Sequence, residues 1–266
     1  SRGNRSCPST RMGQSSEMDS YFSDLGGMVS DRWKKVDFSP RAFAEIATAA
    51  LVERPPADNI NLPELVREFL LDDAQPVQST SGFGQPELIV YDTPRFYIQV
   101  LFWMDGTTDI HQHGFSGAFH VMEGSSLHSL FEFEDAESIT SHFRVGNLKL
   151  KESHLLETGA TMPIVSGSEC IHSLFHLDSP SVSVVIRTHS DPSCGPQFTY
   201  LPPHLAVDPV QNDALTLRRT ARGHCIQTAR GDRGFLGLRG ADGAQVVGGL
   251  ETPQPGQLVG VVEFFA

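Results

Sequence analysis

The chain has 266 residues, 39% of them apolar and 20% charged, with 24 Gly and 17 Pro. That is enough apolar material to bury the core of one large domain or two small ones; it excludes disorder throughout, and the Gly and Pro content points to strands and turns, not to a coiled coil. Acidic residues outnumber basic ones by 32 to 20, and residues 35–204 alone carry 22 acidic against nine basic side chains, so no nucleic-acid partner is expected.

Residues 1–34, rich in Ser, Gly and Met, read as a flexible N-terminal tail outside the fold. No charged-then-apolar leader opens the chain and no apolar run approaches the ~20 residues that cross a bilayer, so a cytoplasmic protein without a membrane partner is expected. Cys7, Cys170, Cys194 and Cys225 form no C-x-x-C pair and read as free thiols. Residues 35–84 form a helical segment. After Ser39-Pro40, the set Phe43, Ile46, Ala47, Ala50 and Leu51 recurs at helical spacing, and after Asn61 so does Leu62, Leu65, Val66, Phe69 and Leu70.

From residue 85 the period changes. Short apolar runs at 88–91, 96–103, 127–133, 148–156, 171–177 and 182–188 are separated by turn clusters such as Asp105-Gly106 and Ser166-Gly167-Ser168. Residues 85–204 therefore predict an all-β barrel or sandwich. Residues 205–266 are Gly-rich, with a strand-like run at 258–265, and fit a small C-terminal β appendage or a poorly ordered extension.

Nine of the eleven His residues fall between His111 and His189. In His111-Gln112-His113 two imidazoles two residues apart on a strand share a face and can converge on one metal ion. Gly106 precedes the pair, Gly124 follows it, and Pro163-x3-Gly167-x4-His172 supplies a third imidazole near another strand. The stretches 106–124 and 163–176 resemble the two motifs of the cupins, and the resemblance covers roughly residues 85–200. It implies a mainly β fold, a cupin-like β-barrel (double-stranded β-helix) preceded by helices, with His111, His113 and His172 as metal ligands.

The resemblance departs at Gly117, where the family pattern usually has a Glu ligand. Three neutral His ligands look like the thiol dioxygenase branch, including cysteine dioxygenase, which binds Fe(II) and leaves positions for substrate and O2. Phe102-Trp103 and Ile110-His111-Gln112-His113 resemble the corresponding segment of that enzyme. Its Ser-His-Tyr relay is replaced here by Val185, Arg187 and His189, and Arg95 does not align with its carboxylate-binding Arg.

Other residues carry two readings each. Arg187 and His189 share a strand face; if that face looks inward, they are candidate catalytic residues and Arg187 a carboxylate anchor, and otherwise they are surface charges. His176 shares strand parity with His172 and is a third catalytic candidate or a core His. Tyr97 and Gln99 line up as candidate substrate contacts. Gly117 is a candidate open position for substrate or O2, or only a packing glycine. His120 is expected outside the barrel, Glu123 either facing inward or, more simply, at a loop edge, His128, His142 and His154 on the surface or a sheet face, and Cys170 as a buried thiol.

The function these residues imply is a mononuclear non-haem Fe(II) oxygenase, with another divalent transition metal as an alternative, acting on a small anionic or thiol/amino-acid-like substrate with O2. The alternatives are a Zn-, Mn- or Ni-dependent isomerase, lyase or decarboxylase, and a non-catalytic ligand-binding cupin.

Overall fold

The computed structural model describes residues 17–71, 76–78 and 84–210. Helices come first: α1 (Glu17–Lys34), α2 (Pro40–Glu53), α3 (Pro56–Asn59) and α4 (Leu62–Leu71). Pro40 opens α2, where its missing N–H is no loss, and the Asn61 side chain caps α4 by accepting from the Glu64 N–H at 3.0 Å. Both segments with helical spacing are helices.

Residues 17–34 correct the expectation of a tail. Phe22, Leu25, Val29 and Trp33 recur at intervals of three and four and are buried, packed with Phe43, Ala47 and Leu51 of α2. Gly26-Gly27 lowers the helix propensity of the segment, which disguised it. Gly26 has a packing reason: a Cβ there would lie 2.4 Å from the Tyr91 ring. Residues 1–16, with Cys7, lie outside the described residues.

The strands are β1 (Glu87–Asp92), β2 (Phe96–Trp103), β3 (Ile110–His113), β4 (Gly117–Glu123), β5 (Ser126–Thr140), β6 (Phe143–Leu156), β7 (Thr161–Ile164), β8 (Gly167–His176), β9 (Ser181–Thr188), β10 (Thr199–Leu201) and β11 (Leu205–Val207). One sheet has the order β1-β2-β9-β4-β7. In the other, β3-β8-β5-β6 is closed into a barrel by the β10–β11 hairpin, which pairs with both β3 and β6. The eight strands β2 to β9 thus occupy the positions of a jelly roll, the architecture of cupin-like barrels. Because β11 pairs with β6, the barrel extends past residue 204. The Gly-rich residues 211–266, with Cys225 and the 258–265 run, lie outside the described residues.

Alternation decides what each strand offers. In β2, β4 and β9, Phe96, Ile98, Val100, Ala118, Val182, Val184 and Ile186 pack beneath the helices. Leu101, Phe119, Val121 and Val185 face the space between the sheets. A sheet covered on both faces reads as near-continuous apolar runs, so its sequence does not announce which parity faces inward. Among the described residues no helix is long and apolar enough to cross a membrane.

If α1 belongs to the core, Leu25→Ala should cost about 2–5 kcal/mol of unfolding free energy, the usual range for such a cavity. Urea denaturation measures it, and a loss below about 0.5 kcal/mol, as on an exposed surface, would return α1 to the status of an appendage.

Candidate metal centre

The site is built where β3 meets β8. His111 stands opposite His172 in the register of the two strands, and His113 lies two residues along the same face. Gln112 points the other way, donating to the Pro196 carbonyl at 3.1 Å and accepting from the Tyr200 hydroxyl at 2.5 Å. All three imidazoles are buried. Their ring centroids are 4.7–4.8 Å apart, and one ring nitrogen from each lies within 4.8 Å of the other two.

Three observations test whether a metal fits. The Nε2 atoms of His111 and His113 are 3.2 Å apart, within the about 3.0–3.4 Å expected of two imidazoles about 2.1 Å from one octahedral or tetrahedral ion. Among the described residues His172 Nε2 is buried with no hydrogen-bond partner, a situation that costs about 1–3 kcal/mol unless something binds it. Burial pushes the imidazoles of His111, His113 and His172 below their ordinary range, with neighbouring imidazoles adding to the effect at His113 and His172, so they are held in the neutral form that ligates. The residues fit a divalent transition metal. No carboxylate joins the cluster among the described residues.

The outer nitrogens of two of these rings are engaged. His111 Nδ1 is 2.7 Å from the Asp109 carbonyl oxygen, and His172 Nδ1 is 2.8 Å from His128 Nε2. His128, expected on the surface or a sheet face, is only 2% exposed. On β5, apolar Leu127 is the exposed residue and Ser126 and His128 are buried, so reading the apolar residue as inward shifts the face by one. The signal that could have found His128 is the parity it shares with Ser126 and Leu130, which pairs with His172.

Arg187 projects from β9 toward the centre. Its guanidinium carbon lies 3.2 Å from the centroid of the Phe115 ring and 5.3 Å from that of Tyr97, and the Phe115 ring in turn lies 4.6 Å from that of His113. Burial pushes the guanidinium down to about 10, and its charge is one of the causes that lower His113. Among the described residues no carboxylate lies within ion-pair distance of it. Tyr97 stands opposite Arg187 on β2, its hydroxyl pushed up by burial against the opposing pull of Arg187. Gln99, buried, is in the next row beside Val185 and Phe119.

Three expected site residues are placed differently. At Gly117 a Cβ would lie 2.2 Å from the Ile186 carbonyl oxygen and 3.0 Å from Arg187 Cα. The glycine allows β4 to approach β9, and it leaves no opening of carboxylate size. His189 follows the last residue of β9 and is exposed, its Nε2–H donating to the Thr93 carbonyl at 2.7 Å, 3.4 Å from Asp92, so it fastens the β1–β2 turn. His176 does face inward, but four residues of strand separate it from His172, about 13 Å. There it stacks on Trp103 at 4.6 Å, and its Nδ1 lies 2.8 Å from the Ser126 hydroxyl oxygen, at the other end of the barrel from the three-histidine cluster.

The remaining candidates are structural. His120 lies outside the barrel as expected, yet is buried beneath α3, with Thr161 Oγ1 2.7 Å from its Nδ1. A register shift after Val121 leaves Glu123 exposed. His142 pairs with Asp208 and His154 with Glu152. Cys170 is a buried thiol pushed up by burial, and Arg95 covers the Phe38 ring outside the barrel.

No family model and no curated protein matches the chain. Solved structures similar to it include a cupin-2 domain containing protein. A hydroquinone 1,2-dioxygenase from Sphingomonas sp. TTNP3 with 4-hydroxybenzoate bound is 11% identical over 40% of this chain and 67% of its own, with a TM-score of 0.31. A cupin-2 domain containing protein from Shewanella frigidimarina NCIMB 400 is 15% identical, covering 47% and 91%, with a TM-score of 0.28. KdgF from Halomonas sp. is 18% identical, covering 44% and 88%, with a TM-score of 0.29.

The buried imidazoles carry a pH consequence. His128 and His176 are pushed down to about 4 by burial, and His113 and His172 well below the ordinary value of 6.5. Unfolded, these groups take up protons near pH 6.5; folded, they do so only at lower pH. Their contribution to stability is therefore complete above about pH 6.5 and is lost as pH falls toward 4. Chelator-treated protein should show a melting temperature that declines already between pH 6.5 and 5, above the range where carboxylates titrate. A flat profile across that window would contradict the burial of neutral imidazoles.

Proposed function

We propose that the protein is a mononuclear non-haem Fe(II) oxygenase of the cupin type, acting with O2 on a small anionic substrate of thiol or amino-acid-like chemistry. The observation that supports this most is the convergence of three buried, neutral imidazoles with no carboxylate among them, two of which, His113 and His172, have a ring nitrogen that no group among the described residues satisfies.

Iron bound there would supply the redox chemistry with O2. His111, His113 and His172 would hold it without neutralising its charge, and an uncompensated dication favours an anionic donor from the substrate. Arg187 offers a second point of attachment, one aromatic ring away from His113. Its planar fork matches a carboxylate bidentately, and stacking on Phe115 fixes the plane of that fork before substrate arrives. Tyr97 and Gln99 add polar groups on adjacent rows of the same inward face. Leu101, Phe119 and Val185 keep this region apolar, which strengthens the interaction of Arg187 with an anion and excludes competing water.

Protein purified without chelator or added metal should contain equimolar iron and consume O2 with a member of a panel of small thiols, amino acids and carboxylates. Alanine at His111, His113 or His172 should remove most of the metal. Full occupancy by zinc, manganese or nickel with no O2 uptake would overturn the oxygenase reading in favour of Lewis-acid chemistry, and a chain that retains no transition metal would overturn the metal centre itself.

Arg187→Lys keeps the charge and loses the two-pronged geometry. For a carboxylate substrate it should raise KM about tenfold, equivalent to ~1.4 kcal/mol, with kcat changed much less. An unchanged KM in steady-state kinetics would remove Arg187 from substrate binding.

A further inference from the structure

His128 is buried on β5 and touches the centre only through His172, 2.8 Å from Nε2 of one ring to Nδ1 of the other. Two neutral imidazoles in contact share one proton across that pair of nitrogens, so the pair has two tautomeric arrangements. In one, His172 carries its proton on Nδ1 and donates to His128, leaving the lone pair of His172 Nε2 free. In the other, His128 donates from Nε2, and His172 must then carry its own proton on Nε2. Among the described residues both His172 Nε2 and His128 Nδ1 are buried without hydrogen-bond partners, so none of those residues at either end selects between the two.

We infer that His128 is a positioning residue that accepts the Nδ1 proton of His172 and so supports the tautomer in which His172 Nε2 binds metal. Metal binding selects this arrangement and leaves His128 with its proton on Nδ1. The contacts made by the outer nitrogens of His111 and His172 are then neutral, a backbone carbonyl for one and an imidazole for the other. A carboxylate in the place of His128 would draw the proton of His172 toward itself and make His172 a more anionic ligand. The choice of histidine keeps the whole assembly cationic, in agreement with an anionic substrate.

This inference rests on the three-histidine metal centre proposed above, and its test separates the two. His128→Gln retains an acceptor of similar reach, whereas His128→Leu retains bulk and removes the acceptor. Zinc serves as the probe because it is diamagnetic, with affinity measured by competition against a chelator and folding by melting temperature of the metal-free proteins. The Leu variant should bind zinc about 10–100-fold more weakly, the usual effect of losing such a partner, and the Gln variant should recover most of that loss. In the zinc-loaded wild type, nitrogen-15 NMR of the imidazoles should find His172 protonated at Nδ1 and His128 protonated at Nδ1 with Nε2 accepting. If the wild type binds zinc through His111, His113 and His172 while the Leu variant equals it in affinity, or His128 is protonated at Nε2 in the loaded protein, the role of His128 is overturned and the centre stands. If the wild type binds no zinc at these residues, the centre itself fails. Should the Leu variant not fold, the Gln variant and the wild-type NMR still decide.

Discussion

The pairing of β3 with β8 is the contact on which the rest of the site depends. The H-x-H pair can deliver only two imidazoles from one strand; the third arrives because His172 lies opposite His111 in the register of the neighbouring strand. A slip of one residue would turn His172 to the outer face and bring Ile171 in. That register is held from outside the site. On the far side of β3, Gln112 bonds to Tyr200 of β10 and to the chain at Pro196, and Leu130 of β5 stands opposite His172 on the other edge of β8. The strands fix three ring positions before any ligand is present, and preorganisation of this kind is what a metal centre needs.

The chemical character of the site follows from what surrounds it. An acidic domain with 22 carboxylates in its central block places none of them, among the described residues, in the histidine cluster, and it holds a half-buried arginine nearby with no ion-pair partner among those residues. A half-buried cation and several buried neutral imidazoles are unfavourable for folding in themselves, because each gives up hydration without full replacement. The helices on the outer face offset part of that. By covering β2, β4 and β9 they let one face of each strand supply apolar packing while the other carries Tyr97, Gln99 and Arg187. The loss of stability expected on acidification and the proposed preference for an anionic substrate are two consequences of one arrangement.

Much of this was legible in the sequence where residue type and spacing carry the chemistry. His111, His113 and His172 are read from an i, i+2 pair and a Gly-anchored third His, and the two amphipathic helices from their spacing. What was not legible depended on which face of a strand is inward. His128 was hidden by the apolar Leu127 beside it, and the bulge after Val121 is invisible to parity. His176 has the right parity, but distance along a strand separates it from the cluster. His189 falls one residue beyond the end of β9. The small side chains misled as well: Gly26-Gly27 looked like part of a flexible tail and Gly117 like an empty ligand position, whereas at Gly26 and Gly117 glycine marks a close approach to Tyr91 and to the backbone of β9. Such contacts are set by the tertiary fold and leave no periodic trace.

The central claim is that three imidazoles and no carboxylate hold the metal. X-ray absorption at the metal edge of the reconstituted protein without substrate tests it most directly, because scattering by imidazole rings is distinct from that of carboxylate or thiolate. The account predicts three imidazole nitrogens at about 2.0–2.2 Å, with any remaining ligands supplied by water. A carboxylate or sulfur ligand from the protein, or fewer than three imidazoles, would contradict it.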